Sequence, residues 1–251
     1  MESSGRVKRT RAAKSLEGER QIKDKFLEQR KEVQQVQAKN EFQKKVFRAL
    51  ATKQVIVISA PAGTGKSFLT MTAASDALMK GETHKLFLAR PAVGMGNSLG
   101  LLKGTLREKY EPYLQPLIEV MVDRYGRGVY ETGLNSGTIE LLPFEYLRGR
   151  NLYGWTVVDE VQQCSATELY SVLTRITETG KLILLGDKTQ SDVNGIDGMS
   201  WLHDFVDRHN LHDTVEFIEG NSDDIVRSGF VRAIVKAKEA DTGIYTNKWK
   251  E

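Results

Sequence analysis

An α/β fold with a mostly parallel sheet is what this 251-residue sequence predicts. Three observations carry the expectation. Short apolar runs rich in β-branched residues alternate with segments of helical spacing. The first run, "QVIVIS" at 54–59, is apolar almost throughout, the pattern of a strand buried on both faces. It passes directly through a glycine-bearing turn into a helical pattern, as strand and helix do in parallel α/β units.

In chain order, residues 15–50 are polar and read as helical, with a thin stripe of Ile22, Phe26, Val33 and Val36 too short for a coiled coil. Strand 54–59 leads to a helix over Lys66–Met79, with Gly81 as its stop. "KLFLAR" at 85–90 is a second strand, ended by Pro91. The region from Leu99 to Val122 is mostly helical, interrupted by Pro112 and Pro116. "TIELLP" at 138–143 follows the turn signal "NSG", and "WTVVDEV" at 155–161 is a fourth strand. Ser165 and Glu168 have the spacing of a capping box and open the next helix. "KLILLGD" at 181–187 and "TVEFIEG" at 214–220 complete six strands, and a last helix lies near 223–238. Trp155 and Trp201 belong to the core on this reading.

Composition sets bounds. Hydrophobic residues make up 40% and charged residues 27%, enough for one sizeable core. No apolar run is long enough to span a bilayer, and the basic N-terminus lacks the apolar stretch of a secretory signal. A single cysteine, Cys164, excludes an intrachain disulfide and fits a reducing cytoplasm. Net charge is +3, yet residues 1–40 alone balance at +5. Such a segment either neutralises phosphates on a nucleic acid or is a solvated tail. The chain therefore divides into a basic, helical or disordered segment, 1–41, and a main α/β domain, 42–251.

"APAGTGKS" at 60–67 has the Walker A spacing, with Ala60 in place of the first glycine. Gly63 and Gly65 let backbone N–H groups turn toward phosphate oxygens, and the helix that follows adds its positive end. Ala62, Gly63, Thr64, Gly65, Lys66, Ser67 and Phe68 are the expected nucleotide-binding stretch. Lys66 would reach the β- and γ-phosphates, and the Ser67 hydroxyl would sit on Mg²⁺. Asp159-Glu160 closes the fourth apolar run as a Walker B pair. Asp159 would hold the metal, and Glu160 would polarise an attacking water. Gln190, in "LLGDKTQ" after the fifth strand, is a candidate γ-phosphate sensor. Gln43 lies upstream with an amide suited to an adenine edge.

These blocks, with "ARPAVGMGNSLGLLKGTLREKYEPYLQPL", "FEYLRGRNL", "VVDEVQQCS" and "LLGDKTQSD" in order, resemble the PhoH-like family. The resemblance spans about residues 40–240. It implies a RecA-like P-loop NTPase fold related to superfamily 1 helicases, binding and hydrolysis of ATP with Mg²⁺, and a role with RNA, helicase activity included. Carried over position by position, Gln43 matches an adenine-reading glutamine, and Lys66, Ser67, Asp159, Glu160 and Gln190 keep the roles above. Arg227 in "DDIVRS" matches an arginine-finger candidate, and Arg90, Arg148 and Arg150 match positions associated with nucleic acid. Ala60 and Val161 depart from the family pattern by small apolar changes. The short form is similar to those of bacteriophages, so the expected location is a bacterial cytoplasm, that of the host if phage-encoded.

Superfamily 1 helicases place ATP between two RecA-like domains; a single one implies a homo-oligomer, such as a ring, with an arginine from a neighbour. The partner expected is nucleic acid, single-stranded RNA foremost, with no membrane. Two other readings stay open: an ATP-gated binding switch for RNA or protein without unwinding, and a small-molecule kinase, against which the paired acids count.

Overall fold

The computed structural model describes residues 33–91, 105–191, 193 and 196–240. Six strands form one sheet: β1 Val55–Ser59, β2 Leu86–Arg90, β3 Ile139–Pro143, β4 Trp155–Val158, β5 Lys181–Gly186 and β6 Val215–Glu219. Their order is β3-β2-β4-β5-β1-β6, and every pairing is parallel. Pro143 ends β3 at the sheet's edge, where its missing N–H breaks no ladder.

Eight α-helices are described: α1 Glu41–Thr52, α2 Lys66–Lys80, α3 Leu106–Tyr110, α4 Gln115–Tyr125, α5 Arg127–Asn135, α6 Ala166–Leu173, α7 Gly198–His209 and α8 Gly229–Ala240. Side chains alternate across the strands, and each face has its own core. Ile56, Ile58, Leu86, Leu88, Ile183 and Leu185 pack with α1, α2, α4 and α5. Val55, Val57, Phe87, Ala89, Leu182 and Leu184 pack with α6 and α7. Covering both faces removes the apolar strands from water, the dominant favourable contribution to folding.

Helix ends follow local chemistry. Asn40 caps α1 by accepting from Gln43 N at 2.9 Å. Gly81 closes α2 at φ 75°. Ser165 and Glu168 form the capping box of α6. Pro116 stands in the first turn of α4, where no intrahelical bond is lost.

Three expectations need correction. Residues 33–40 are not helical; with the Asn40 cap, helix begins only at Glu41. Strand β4 stops at Val158, because Glu160 adopts φ 58° and turns the chain into a short 3₁₀ turn at Val161–Gln163. The last helix starts at Gly229, after a separate 3₁₀ turn at Ser222–Asp224. Ile22, Phe26, Leu99 and Trp249 lie outside the described residues. Among those described, no helix is long and apolar enough to cross a membrane.

Candidate functional site

Parallel strands send all their carboxyl ends to one edge of the sheet, and the turns after β1, β2 and β4 meet there around a cleft of about 690 Å³. The phosphate loop follows β1. Gly63 and Gly65 have φ 91° and 92°, left-handed values that glycine adopts without a Cβ clash. Gly65 is the cap of α2 and offers no side chain to its first-turn N–H groups, so these face the cleft as an anion site. Ala62, Gly63, Gly65, Lys66, Ser67 and Phe68 all line it. The Lys66 ammonium rests on the Ala60 carbonyl at 3.0 Å. The Ala60 methyl is buried, pointing to where a Cβ on Gly220 would sit at 3.0 Å, so this departure from glycine leaves the cleft unaltered.

Thr64 is fully buried and faces inward, its hydroxyl donating to the Pro61 carbonyl at 3.0 Å. Its own carbonyl accepts from Gln43 Nε2 at 2.9 Å, while Gln43 Oε1 accepts from Lys39 N at 2.8 Å. Gln43 thus lines the cleft and braces the phosphate loop at once.

The acid pair comes from β4. Asp159 is 6% exposed and donates its N–H to the Ala89 carbonyl at 2.9 Å. Burial, with the Glu160 carboxylate beside it, pushes the Asp159 carboxyl up to about 6, against the opposing pull of Lys66 and Arg90. Glu160 is one of only two non-glycine residues at positive φ among those described, a conformation that costs of order 1–3 kcal/mol and clusters at working sites. Ser67 and Asp159 supply hard oxygens to the same cleft, and no group of three His, Cys, Asp or Glu gathers among the described residues. That donor set fits Mg²⁺, which is held by one or two protein oxygens together with phosphate and water.

Arg90, expected near nucleic acid, lines this cleft, with Nη2 3.8 Å from Glu160. Its backbone is fixed by Tyr110, whose buried hydroxyl accepts from Arg90 N at 2.6 Å and donates to Arg90 O at 2.7 Å. Arg227 also lines the cleft, within the same chain. It is brought there by Val226, whose N–H donates to the Gly63 carbonyl at 3.0 Å. Gln190 does not line the cleft; its amide donates to Asp187 Oδ2 at 2.8 Å. Arg148 and Arg150 lie outside it as well, paired with Glu168 at 3.0 Å and Glu140 at 2.8 Å.

One wall of the cleft, Phe68 aside, lies outside the phosphate-loop and acid-pair motifs. Val36, Phe68, Pro116 and Val120 form an apolar side, with Gln37 and Lys39 beside them. Residues 33–40 are strapped down there: Arg124 Nη1 donates to Gln34 O at 3.1 Å while its Nη2 donates to Asp76 at 2.7 Å, and Asn40 Nδ2 donates to Asp224 O at 3.1 Å. A domain boundary at 41/42 would therefore cut through the site. Val33 and Val36 are legible as a stripe, but their destination is not.

Fold and site together define a RecA-like P-loop protein of the nucleotide-binding, ATPase type. The family model described as PhoH-like protein matches residues 35–239, and the chain belongs to that family. A PhoH-like protein of Mycobacterium tuberculosis is 37% identical over 196 residues, covering 78% of this chain and 55% of the relative. One from Bacillus subtilis is 34% identical over 205 residues, covering 80% and 63%. The chain thus spans little more than half the length of such relatives. Among solved structures, the large terminase of a thermophilic bacteriophage superposes with a TM-score of 0.50 at 15% identity, covering 79% of this chain and 49% of the terminase.

Proposed function

We propose that this protein hydrolyses ATP with Mg²⁺ and couples the reaction to binding or remodelling nucleic acid, single-stranded RNA foremost, in the cytoplasm. The observation that carries the reading is the convergence of Lys66, Ser67, Asp159, Glu160 and Arg227 on one cleft. Bound Mg²⁺ would neutralise charge on the β- and γ-phosphate oxygens, held by Ser67 and Asp159. Lys66 and the first-turn N–H groups of α2 hold the phosphates, and Arg227 adds a guanidinium where charge spreads in the transition state. Glu160 orients and polarises the attacking water. The apolar wall of Val36, Phe68 and Val120 suits a base. The nucleic-acid part of the reading is supported by the +5 balance of residues 1–40. A homo-oligomer, with subunits acting on one strand, belongs to the same proposal.

One observation favours a second reading, an ATP-gated binding switch. The Val226–Gly63 bond ties the segment leading to α8 directly to the phosphate loop. Nucleotide occupancy would then move α8 without any unwinding.

Steady-state ATP hydrolysis by wild type and Lys66→Ala, with and without single-stranded RNA and DNA, tests both. Lys66-dependent turnover raised by one nucleic acid supports coupling. Turnover indifferent to both favours the switch, and no Lys66-dependent turnover removes the hydrolase reading.

A further inference from the structure

We infer that Gln162 is a positioning residue that holds the Glu160 carboxylate and fastens it to the turn after β5; the inference rests on the proposed hydrolysis of ATP. Gln162 is 1% exposed. Its Nε2 donates to Glu160 Oε2 at 2.6 Å, and its Oε1 accepts from Asp187 N at 3.2 Å. The two partners dictate which end of the amide is which, since a carboxylate only accepts and a backbone N–H only donates. Both functional ends of a buried amide are therefore spent, one on the cleft-lining Glu160 and the other on the turn after β5.

The surrounding structure is built for this reach. A Cβ on Gly186 would lie 2.6 Å from Gln162 Oε1, so glycine at the end of β5 is what admits the amide. Two more bonds fasten the same pair of turns: Ser191 Oγ donates to Gln162 O at 3.0 Å, and Gln163 Nε2 donates to Gln190 O at 2.9 Å. Strand β5 lies between β4 and β1 in the sheet. The amide thus spans from the turn carrying Glu160 to the turn carrying Asp187 and Gln190. A carboxylate set at positive φ just before a three-residue turn has rotamer freedom of its own. The short bond from Gln162 removes that freedom, and the bond to Asp187 N fixes the amide that makes it. Water activation depends on such placement, because a carboxylate that swings away from the attacking water loses its catalytic contribution.

The test uses the full chain and three variants. Gln162→Glu is nearly isosteric and keeps an acceptor for Asp187 N but has no donor for Glu160. Gln162→Met fills the same volume without either bond. Lys66→Ala reports the hydrolysis reading itself. For both Gln162 variants kcat for ATP is expected to fall about 10- to 100-fold, with KM and the affinity for a fluorescent ADP analogue within about twofold of wild type. Glu160→Gln in the Gln162→Met background should then add little further loss, since the two groups act as one unit. Wild-type kcat in both Gln162 variants overturns the positioning role while leaving the hydrolysis reading intact. A loss shared between kcat and ADP affinity, with a lowered melting temperature, overturns it in favour of a purely structural amide. Wild type without Lys66-dependent turnover overturns both readings and is recognised as failure of the first.

Discussion

The Gln43 amide donates to the Thr64 carbonyl at 2.9 Å from 21 residues upstream, so a helix-borne side chain holds the phosphate loop from behind. Replacing Gln43 by Glu sets a carboxylate oxygen against that carbonyl, and replacing it by Ala leaves the buried carbonyl unpaired. Either change should lower stability by about 1–3 kcal/mol. The Glu variant should also weaken binding of an ADP analogue by roughly tenfold, because the loop it braces presents the anion-binding N–H groups. Chemical denaturation and a nucleotide titration check the two effects separately. Unchanged affinity in both variants would reduce Gln43 to packing.

Gly63 tests the loop from the opposite side. Its φ of 91° and a Cβ contact of 3.2 Å with both Arg227 Cβ and Ile225 Cγ2 argue against any side chain there. Gly63→Ala should cost about 1–3 kcal/mol in backbone strain and shift the Arg227 segment off the loop. Turnover should fall further than in Arg227→Ala alone. Denaturant midpoints and kcat, measured side by side, give the answer.

The arginines should separate sharply. Arg227→Ala is expected to lower kcat by about 10³-fold, toward the lower end of measured finger effects. Arg148→Ala and Arg150→Ala remove half-exposed ion pairs and should change stability by less than about 1 kcal/mol. Turnover per chain measured over serial dilution shows whether Arg227 serves its own cleft. A value that stays constant well below the assembly concentration means that it does.

Asp159 makes stability depend on pH in a definite direction. Its carboxyl ionises near 6 when folded and near 3.8 otherwise, so the folded protein binds the proton more readily. Stability from this group is therefore greatest below pH 3.8 and is lost as pH rises through 6, by about 3 kcal/mol at most. In nucleotide- and magnesium-free buffer, Asp159→Asn should melt higher than wild type at pH 7.5, and the gap should close toward pH 4. A gap that widens on acidification would show that the carboxyl is held low instead.

The chemistry legible in the sequence is the chemistry encoded locally. Gly63, Gly65, Lys66 and Ser67 are contiguous, and Asp159-Glu160 follow an apolar run, so spacing alone places them at strand ends. What escapes such reading depends on distant partners. Tyr110 meets Arg90 across 20 positions, and Val226 meets Gly63 only after β6 has paired. The left-handed turn at Glu160 has no composition cue, which is why the apolar pattern makes β4 look longer than it is. The helical polarity of 33–40 is genuine as a pattern, yet the Arg124–Gln34 bond holds that stretch beside the cleft without helical structure. Arg90 is hard to place for a related reason: its strand is legible, but the neighbour of that strand is not.

The sheet order also bears on how the protein comes into being. Strand β1, which carries the phosphate loop, hydrogen-bonds only to β5 and β6, with Val55 opposite Leu182 and Val215. Both partners are made long after it. A chain emerging from a ribosome must therefore keep its loop strand without a sheet neighbour until β5 has been made, more than 120 residues later, and such long-range parallel pairing is slow. The strand that presents the phosphate loop is thus among the first made, yet it is held in the sheet only by strands that follow much later in the chain.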